Sequence, residues 1–222
     1  MTVRFITNTL VSNRTFTVPY LISLCFGTIA LMMWEKEELF FRLHDVHTPW
    51  GDLFFQYFTH FGDGFFVLVV IGALLFIHFG KAVFLLLAFL FSGLIAQILK
   101  KLVFSDSLRP SGWQWADPEA LLQMVEGVTY HSAHSFPSGH TISAYTMFFV
   151  LTLVARKKRF GYLFFAMAFL TGYSRVYLGQ HFFEDVYFGS VIALLCTMIV
   201  WVLFYPHLDK PWAGKSLFRL KS

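Results

Sequence analysis

Six apolar runs punctuate the chain: Val18–Trp34, Phe65–Phe79, Ala82–Phe104, His140–Ala155, Phe160–Leu178 and Phe182–Tyr205, each bounded by charges, Gly or Pro. Runs near the ~20 residues that carry a helix across a bilayer's hydrocarbon core predict six membrane-spanning helices. The second run is the shortest. It begins at Phe65, or as early as Asp52 with Gly62-Asp63-Gly64 as a kink. The Phe-rich segment Trp50–Phe61, interrupted by Gln56 and His60, reads alternatively as an amphipathic helix lying in the interface. Arg4 and Arg14 precede the first run in the manner of a signal peptide, yet no small-residue cleavage site follows Trp34. The expectation is a retained first helix. No internal repeat or low-complexity tract is present.

Composition sharpens this picture. Of 222 residues 57% are hydrophobic and 20% aromatic, with 29 Phe, while only 14% are charged. Ordinary globular domains carry about a quarter charged residues, so this chain lacks the charge to wet a surface of its own. Disorder, a secreted disulfide scaffold and a soluble two-domain enzyme are all disfavoured. Cys25 and Cys196 both lie in apolar runs, which argues against a disulfide framework or a cysteine metal site. Six helices consume over half the length. The expected fold is therefore all-α: one integral membrane domain over residues 1–222, a six-helix bundle with a compact helical core.

The formal charge of +4 matters less than where the 17 Lys and Arg fall. In a six-span chain Arg4, Arg14, Lys81, Arg156, Lys157, Lys158, Arg159, Lys210, Lys215, Arg219 and Lys221 share one face, and Lys36, Arg42, Lys100, Lys101, Arg109 and Arg175 share the other. Positive residues are retained on the cytoplasmic side, so both termini are expected there. The run Arg156–Arg159 then sets topology and is no nucleic-acid patch. The six cations on the opposite face need another explanation.

Three segments supply it, for the six-span count brings them to the same face. Lys100-Lys101 and Arg109-Pro110 follow the third helix. Phe136-Pro137-Ser138-Gly139-His140 opens the fourth, where a Pro-Ser-Gly turn leaves backbone N–H groups pointing outward. Ser174-Arg175 ends the fifth helix, and His181 and Asp185 begin the sixth. Four residues apart, those two share a helical face, so the carboxylate can accept the imidazole's second N–H. Fixed cations beside a helix N-terminus suit a compact anion, most naturally phosphate. With no acidic cluster and no Gly-x4-Gly-Lys-Ser/Thr loop, neither Mg²⁺ nor a nucleotide is implied. An imidazole oriented by a carboxylate is a nucleophile or base. The other imidazole can sit protonated and donate to a leaving oxygen.

These residues are similar to the motifs of a known family, the phosphatidic acid phosphatase type 2 and haloperoxidase superfamily. Its pattern is Lys-x6-Arg-Pro, Pro-Ser-Gly-His and Ser-Arg-x5-His-x3-Asp. Pro137-Ser138-Gly139-His140 matches the second motif, and Ser174-Arg175, His181 and Asp185 match the third, residue for residue. The first departs: Lys101 stands eight positions before Arg109 where seven are required, a slot held by Leu102. One extra residue in the loop 104–108 would restore Lys101 to its role, with Lys100 as the fallback. The resemblance spans residues 101–185. It implies that His181 attacks phosphorus to form a phosphohistidine while Asp185 holds its tautomer. It implies that His140 protonates the departing alkoxide and then activates water, and that Lys101, Arg109, Ser138, Gly139 and Arg175 hold the phosphoryl oxygens. It also implies no metal or other cofactor. The membrane spans favour the phosphatase branch over the vanadate-binding one.

Singly, each feature has a plainer reading. Pro137-Ser138-Gly139 is an ordinary helix start, the cation pairs are interfacial anchors, and His181 with Asp185 is a buried polar pair. His131 and His134 with His140 suggest zinc, but ligands at that spacing usually want a helix and a nearby carboxylate or cysteine, and the first two lie in a polar loop, so they are expected to line the mouth of the site or touch the substrate headgroup. Trp113 and Trp115 read as interfacial belt residues. Together the features predict an extracytoplasmic lipid phosphatase of a bacterial inner membrane. Candidate substrates are an isoprenyl diphosphate, phosphatidic acid, phosphatidylglycerol phosphate and a lipid A-type glycolipid. The expected partners are that lipid and the bilayer, with no nucleic acid or protein partner. The rival reading is a non-catalytic carrier using the same cations.

Overall fold

The computed structural model describes residues 2–116 and 122–218, without side chains at 114–116. All six apolar runs are helical. They form α2 (Arg14–Met33), α5 (Gly64–Ile77), α6 (Phe79–Ile98), α8 (Gly139–Val154), α9 (Phe160–Tyr177) and α10 (Phe183–Phe204). Shorter helices join them: α1 (Thr2–Ser12), α3 (Lys36–His44), α4 (Pro49–Phe58) and α7 (Pro110–Ala116). Among the described residues there is no strand, only an isolated bridge between Leu108 and Ala133.

The count of spans is smaller than expected. Three helical stretches are long and apolar enough to cross a membrane: Arg14–Met33, Phe79–Val103 and Phe183–His207. A fourth qualifies only as a pair, Pro49–Gly62 with Gly64–Ile77, bent by 57°. Length in one helix and polarity in another explain the shortfall. The 16 residues of α8 make about 24 Å of helix against roughly 30 Å of hydrocarbon. α9 has 18 residues, but Thr171, Ser174 and Arg175 make its last turns polar. The Gly62-Asp63-Gly64 segment is the bend in the paired span, and α4 beside it carries Trp50, Leu53 and Phe54 exposed, with no buried residue.

α8 is enclosed by protein. It packs against α6, α9 and α10, and Met147, Phe149 and Val150 have no exposed surface. Phe149 meets Phe16 of α2 at 5.1 Å, and Phe84 of α6 meets Trp201 of α10 at the same separation. Bulky residues such as Phe65, Met32 and Leu203 remain on the outside, as a lipid solvent allows.

The two ends of the bundle differ. At one, Lys81 donates to the Val154 carbonyl at 3.0 Å and Lys158 to Asn13 Oδ1 at 2.9 Å. The C-terminal segment closes the same end, with the Gly80 N–H on the Ala213 carbonyl and the Leu217 N–H on the Leu75 carbonyl. At the other end lie α3, α4, α7 and the loop before α8. There Lys36 pairs with Glu184 at 2.6 Å, and the Trp113 ring packs at a tilt against Phe41, 6.0 Å between centroids. The side chain of Trp115 lies outside the described residues.

Candidate active site

The turn after α9 brings Arg175 and His181 together. The Gly179 N–H donates to the Val176 carbonyl and the Gln180 N–H to the Arg175 carbonyl, the two bonds that close a helix C-terminus around a left-handed residue. Gly179 supplies it with φ +63. The chain folds back so far that the His181 N–H also reaches the Arg175 carbonyl, at 3.1 Å. The five-residue gap between Arg and His is therefore the length of this cap.

Helix α10 starts just beyond, and its N-terminus holds Asp185. Oδ2 of that carboxylate accepts from the Phe182 N–H at 3.0 Å and the Ser135 hydroxyl, and lies 3.2 Å from His181 Nδ1. Asp185 is fully buried and His181 is 1% exposed. With the carboxylate accepting from Nδ1–H, the lone pair falls on Nε2, which no described residue hydrogen-bonds. Burial, then Arg109, Arg175 and Lys100, holds the pKa of His181 well below the ordinary imidazole value. The ring is neutral at neutral pH, and neutrality is what a nucleophile or base requires.

Three cations surround it. Arg175 is buried, its Nη1 donating to Thr59 Oγ1 at 2.6 Å and its Nη2 to Gln180 Oε1, while its Nε–H has no partner among the described residues. Arg109 donates through Nε to the Ala133 carbonyl at 3.0 Å and through Nη1 to Gln180. The third cation corrects the sequence expectation. Lys101 is exposed and stands outside the cavity wall, whereas Lys100 lines it and donates to the His134 carbonyl at 2.7 Å. α6 ends in a π turn, Leu99–Val103, with the Phe104 N–H bonded to the Leu99 carbonyl five residues back. A turn of that width holds one residue more than an α-turn, which alone would fit the spacing of Lys101; Lys100, nine positions before Arg109, is nonetheless the lysine on the cavity wall.

The Ser138 expectation also needs revision. The hydroxyl caps α8, accepting from Thr141 Oγ1 at 2.9 Å, and the N–H donates to the Asp185 carbonyl at 3.1 Å. Ser138 is fully buried and absent from the cavity wall, so it ties α8 to α10 and makes no contact with the cavity. Gly139 and His140, the next two residues, do line the cavity. His131 lines its mouth, while His134 offers only its carbonyl, to Lys100.

Two residues escaped the sequence reading. Asp63 places Oδ1 2.7 Å from His140 Nε2 and accepts from His60 Nδ1 on Oδ2 at 2.6 Å. An acidic residue between two glycines inside an apolar stretch was the available signal. Gln180 is 97% enclosed, and its amide oxygen accepts from both Arg109 and Arg175. It lies inside the x5 gap, where the motif assigns no residue type.

The result is a cavity of about 450 Å³ lined by His181, His140, Lys100, Arg109, Arg175 and Gly139. Cations and a helix N-terminus can neutralise an anion there, one imidazole can attack it, and the other can move a proton. Helices and cavity together define an integral membrane protein with a cation-lined cavity at one end of its bundle. Residues 81–208, more than half the chain, match the PAP2 superfamily, and the chain belongs to that family.

It is 29% identical over 169 residues to phosphatidylglycerophosphatase B of Bacillus subtilis (strain 168), covering 70% of this chain and 76% of that one. It is 26% identical over 189 residues to lipid A 4'-phosphatase of Porphyromonas gingivalis, covering 82% and 77%. The crystal structure of Aquifex aeolicus LpxE superposes with a TM-score of 0.65 at 28% identity, covering 77% of this chain and 97% of that chain.

Proposed function

We propose that the protein is a membrane lipid phosphatase that works through a phosphohistidine. The observation that carries this reading is the convergence of two imidazoles and three cations on one cavity at the end of a lipid-facing bundle. His181 Nε2 attacks phosphorus and forms the P–N bond. The P–O bond breaks, its electron pair goes to the lipid oxygen, and His140 gives that oxygen a proton. Water then attacks phosphorus, His140 takes the water's proton, and the P–N bond breaks to release phosphate. Lys100, Arg109, Arg175 and the Gly139 N–H hold the phosphoryl oxygens, and Asp185 keeps the proton of His181 on Nδ1.

Residues 1–222 form one domain in this reading, and the six apolar helices all cross the membrane, α8 and α9 shielded by their neighbours. Lys81, Arg156 and Lys158 mark the cytoplasmic end, which supports cytoplasmic termini and a site on the far side of a bacterial inner membrane. Similarity to a phosphatidylglycerophosphatase and a lipid A 4'-phosphatase supports a lipid carrying a phosphomonoester, and isoprenyl diphosphates and phosphatidic acid belong in the same test.

Detergent-purified protein is assayed for phosphate release, with EDTA present, from phosphatidylglycerol phosphate, phosphatidic acid, an isoprenyl diphosphate and a lipid A-type glycolipid. Release from at least one lipid, lost in His181→Ala, is the expected result. Binding of these lipids with no release from any of them would favour a carrier.

A further inference from the structure

Asp63 stands at the position that precedes the first turn of α5, where a carboxylate ordinarily accepts a backbone N–H of the helix. Here it makes no such capping bond. Its oxygens instead serve two imidazoles, Oδ1 at 2.7 Å from His140 Nε2 and Oδ2 at 2.6 Å from His60 Nδ1. The side chain has forgone a local stabilising role for a long-range one.

The backbone is shaped to permit this. The 3-10 turn Thr59–Gly62 lies directly against the start of α8: a Cβ on Gly62 would meet the His140 carbonyl oxygen at 2.7 Å and the His140 Cβ at 2.9 Å. The absent side chain at 62 lets Asp63 approach the ring. The same turn carries Thr59, which accepts from Arg175, so one short segment addresses both one of the cavity's cations and the second histidine.

We propose that Asp63 is the positioning residue of the leaving-group acid, fixing the proton of His140 on Nε2 and turning Nδ1 to the reacting oxygen, with His60 orienting the carboxylate. This rests on the phosphatase reading above. Each histidine of the cavity then has its own carboxylate. Asp185 on Nδ1 of His181 leaves Nε2 for phosphorus, and Asp63 on Nε2 of His140 leaves Nδ1 for the proton. In phosphoenzyme formation the proton on Nδ1 moves to the leaving alkoxide. In hydrolysis a water proton returns to Nδ1. The Nε2 proton stays against Asp63 throughout, so protons balance over the cycle. A carboxylate there stabilises the imidazolium that must exist before the lipid oxygen departs.

The leaving group gives the test. An alkoxide needs the proton and 4-nitrophenolate does not. Asp63→Asn, which keeps size and shape, is expected to lower kcat/KM for the lipid phosphate on the order of 10²-fold, while 4-nitrophenyl phosphate loses less than about threefold. The kcat/KM ratio is chosen because it reports the step in which the leaving group departs. His60→Gln is expected to give the same pattern with a smaller loss. In the Asp63→Asn, His140→Ala double variant the lipid rate should equal that of His140→Ala alone, since Asp63 acts through His140.

Equal losses on both esters, or losses that multiply in the double variant, would overturn the proposal and leave the phosphatase reading standing. Wild-type protein that hydrolyses neither ester would overturn both.

Discussion

The backbone N–H of His181 donates to the carbonyl of Arg175 at 3.1 Å across a turn that only a left-handed residue closes. His181 and Arg175, the proposed nucleophile and phosphate-binding cation, are thus set by one backbone loop, with Gly179 at φ +63. An added Cβ would also meet Leu122 Cδ1 at 3.2 Å and His44 Cε1 at 3.4 Å. Gly179→Ala is expected to cost roughly 1–2 kcal/mol of left-handed strain. If the loop relaxes to avoid it, kcat/KM falls about tenfold or more. Steady-state kinetics on the membrane fraction measure this, and an unchanged rate would show that the turn does not set the site.

Asp185 fixes where the proton of His181 resides. Asp185→Asn preserves shape, but its amide can donate to Nδ1 and push the proton to Nε2, where it blocks attack. The expected loss is on the order of 10³-fold or more in kcat with binding nearly intact, by analogy with the amidated triad of serine hydrolases. Affinity for vanadate, a phosphate mimic, should change little. A loss below about tenfold would argue against an oriented imidazole nucleophile.

The two adjacent lysines make opposite predictions. Lys100 lines the cavity, and its removal takes away a charge-assisted contact to phosphate, about 1.5–3 kcal/mol, so Lys100→Ala should lower kcat/KM by roughly 10- to 100-fold. Lys101 is exposed outside the wall, and Lys101→Ala should stay within about twofold. Reversed effects would restore the spacing argument that favoured Lys101.

How far each feature was legible follows from whether its cause is local. The six apolar helices were readable because hydrophobicity along one segment suffices to fix them. The convergence of His140, His181, Arg109 and Arg175 on one cavity was legible from the helix order, and the Arg175–His181 and His181–Asp185 spacings reflect one C-terminal cap and one helix turn. The inward lysine was not legible, because two adjacent lysines at the end of a helix differ only in the direction they face, which the spacing to Arg109 does not fix. Ser138 was misplaced for a related reason: a serine before a helix serves equally as cap and as ligand, and only the contact with Thr141 decides. Asp63 was missed because its partner His140 lies 77 positions away on another helix.

Sidedness is testable with cysteines. Glu126 is exposed at the cavity end and Lys157 is exposed at the opposite end. In a background lacking Cys25 and Cys196, a membrane-impermeant maleimide applied to whole cells should label Glu126→Cys at once. Lys157→Cys should react only after permeabilisation. The reverse pattern would put the site in the cytoplasm.

The pH profile carries the last prediction. His181 titrates well below the ordinary imidazole value, first because it is buried and next because Arg109 stands closest in effect among the cations. Protonation would place a positive charge in that surrounding, so the neutral, nucleophilic form persists to lower pH. As pH falls through the depressed value the nucleophile is lost, and kcat/KM declines. Arg109→Gln removes a like charge, which makes the imidazolium easier to form and raises the pKa of His181. The acid limb must therefore move to higher pH, in addition to any loss of phosphate binding at the optimum. Arg109→Lys keeps the charge and should return the limb toward its original position. Substrate ionisation is common to all three proteins and cancels in the comparison. A limb that stays in place in Arg109→Gln, or moves to lower pH, would mean that His181 is not the group whose protonation ends turnover.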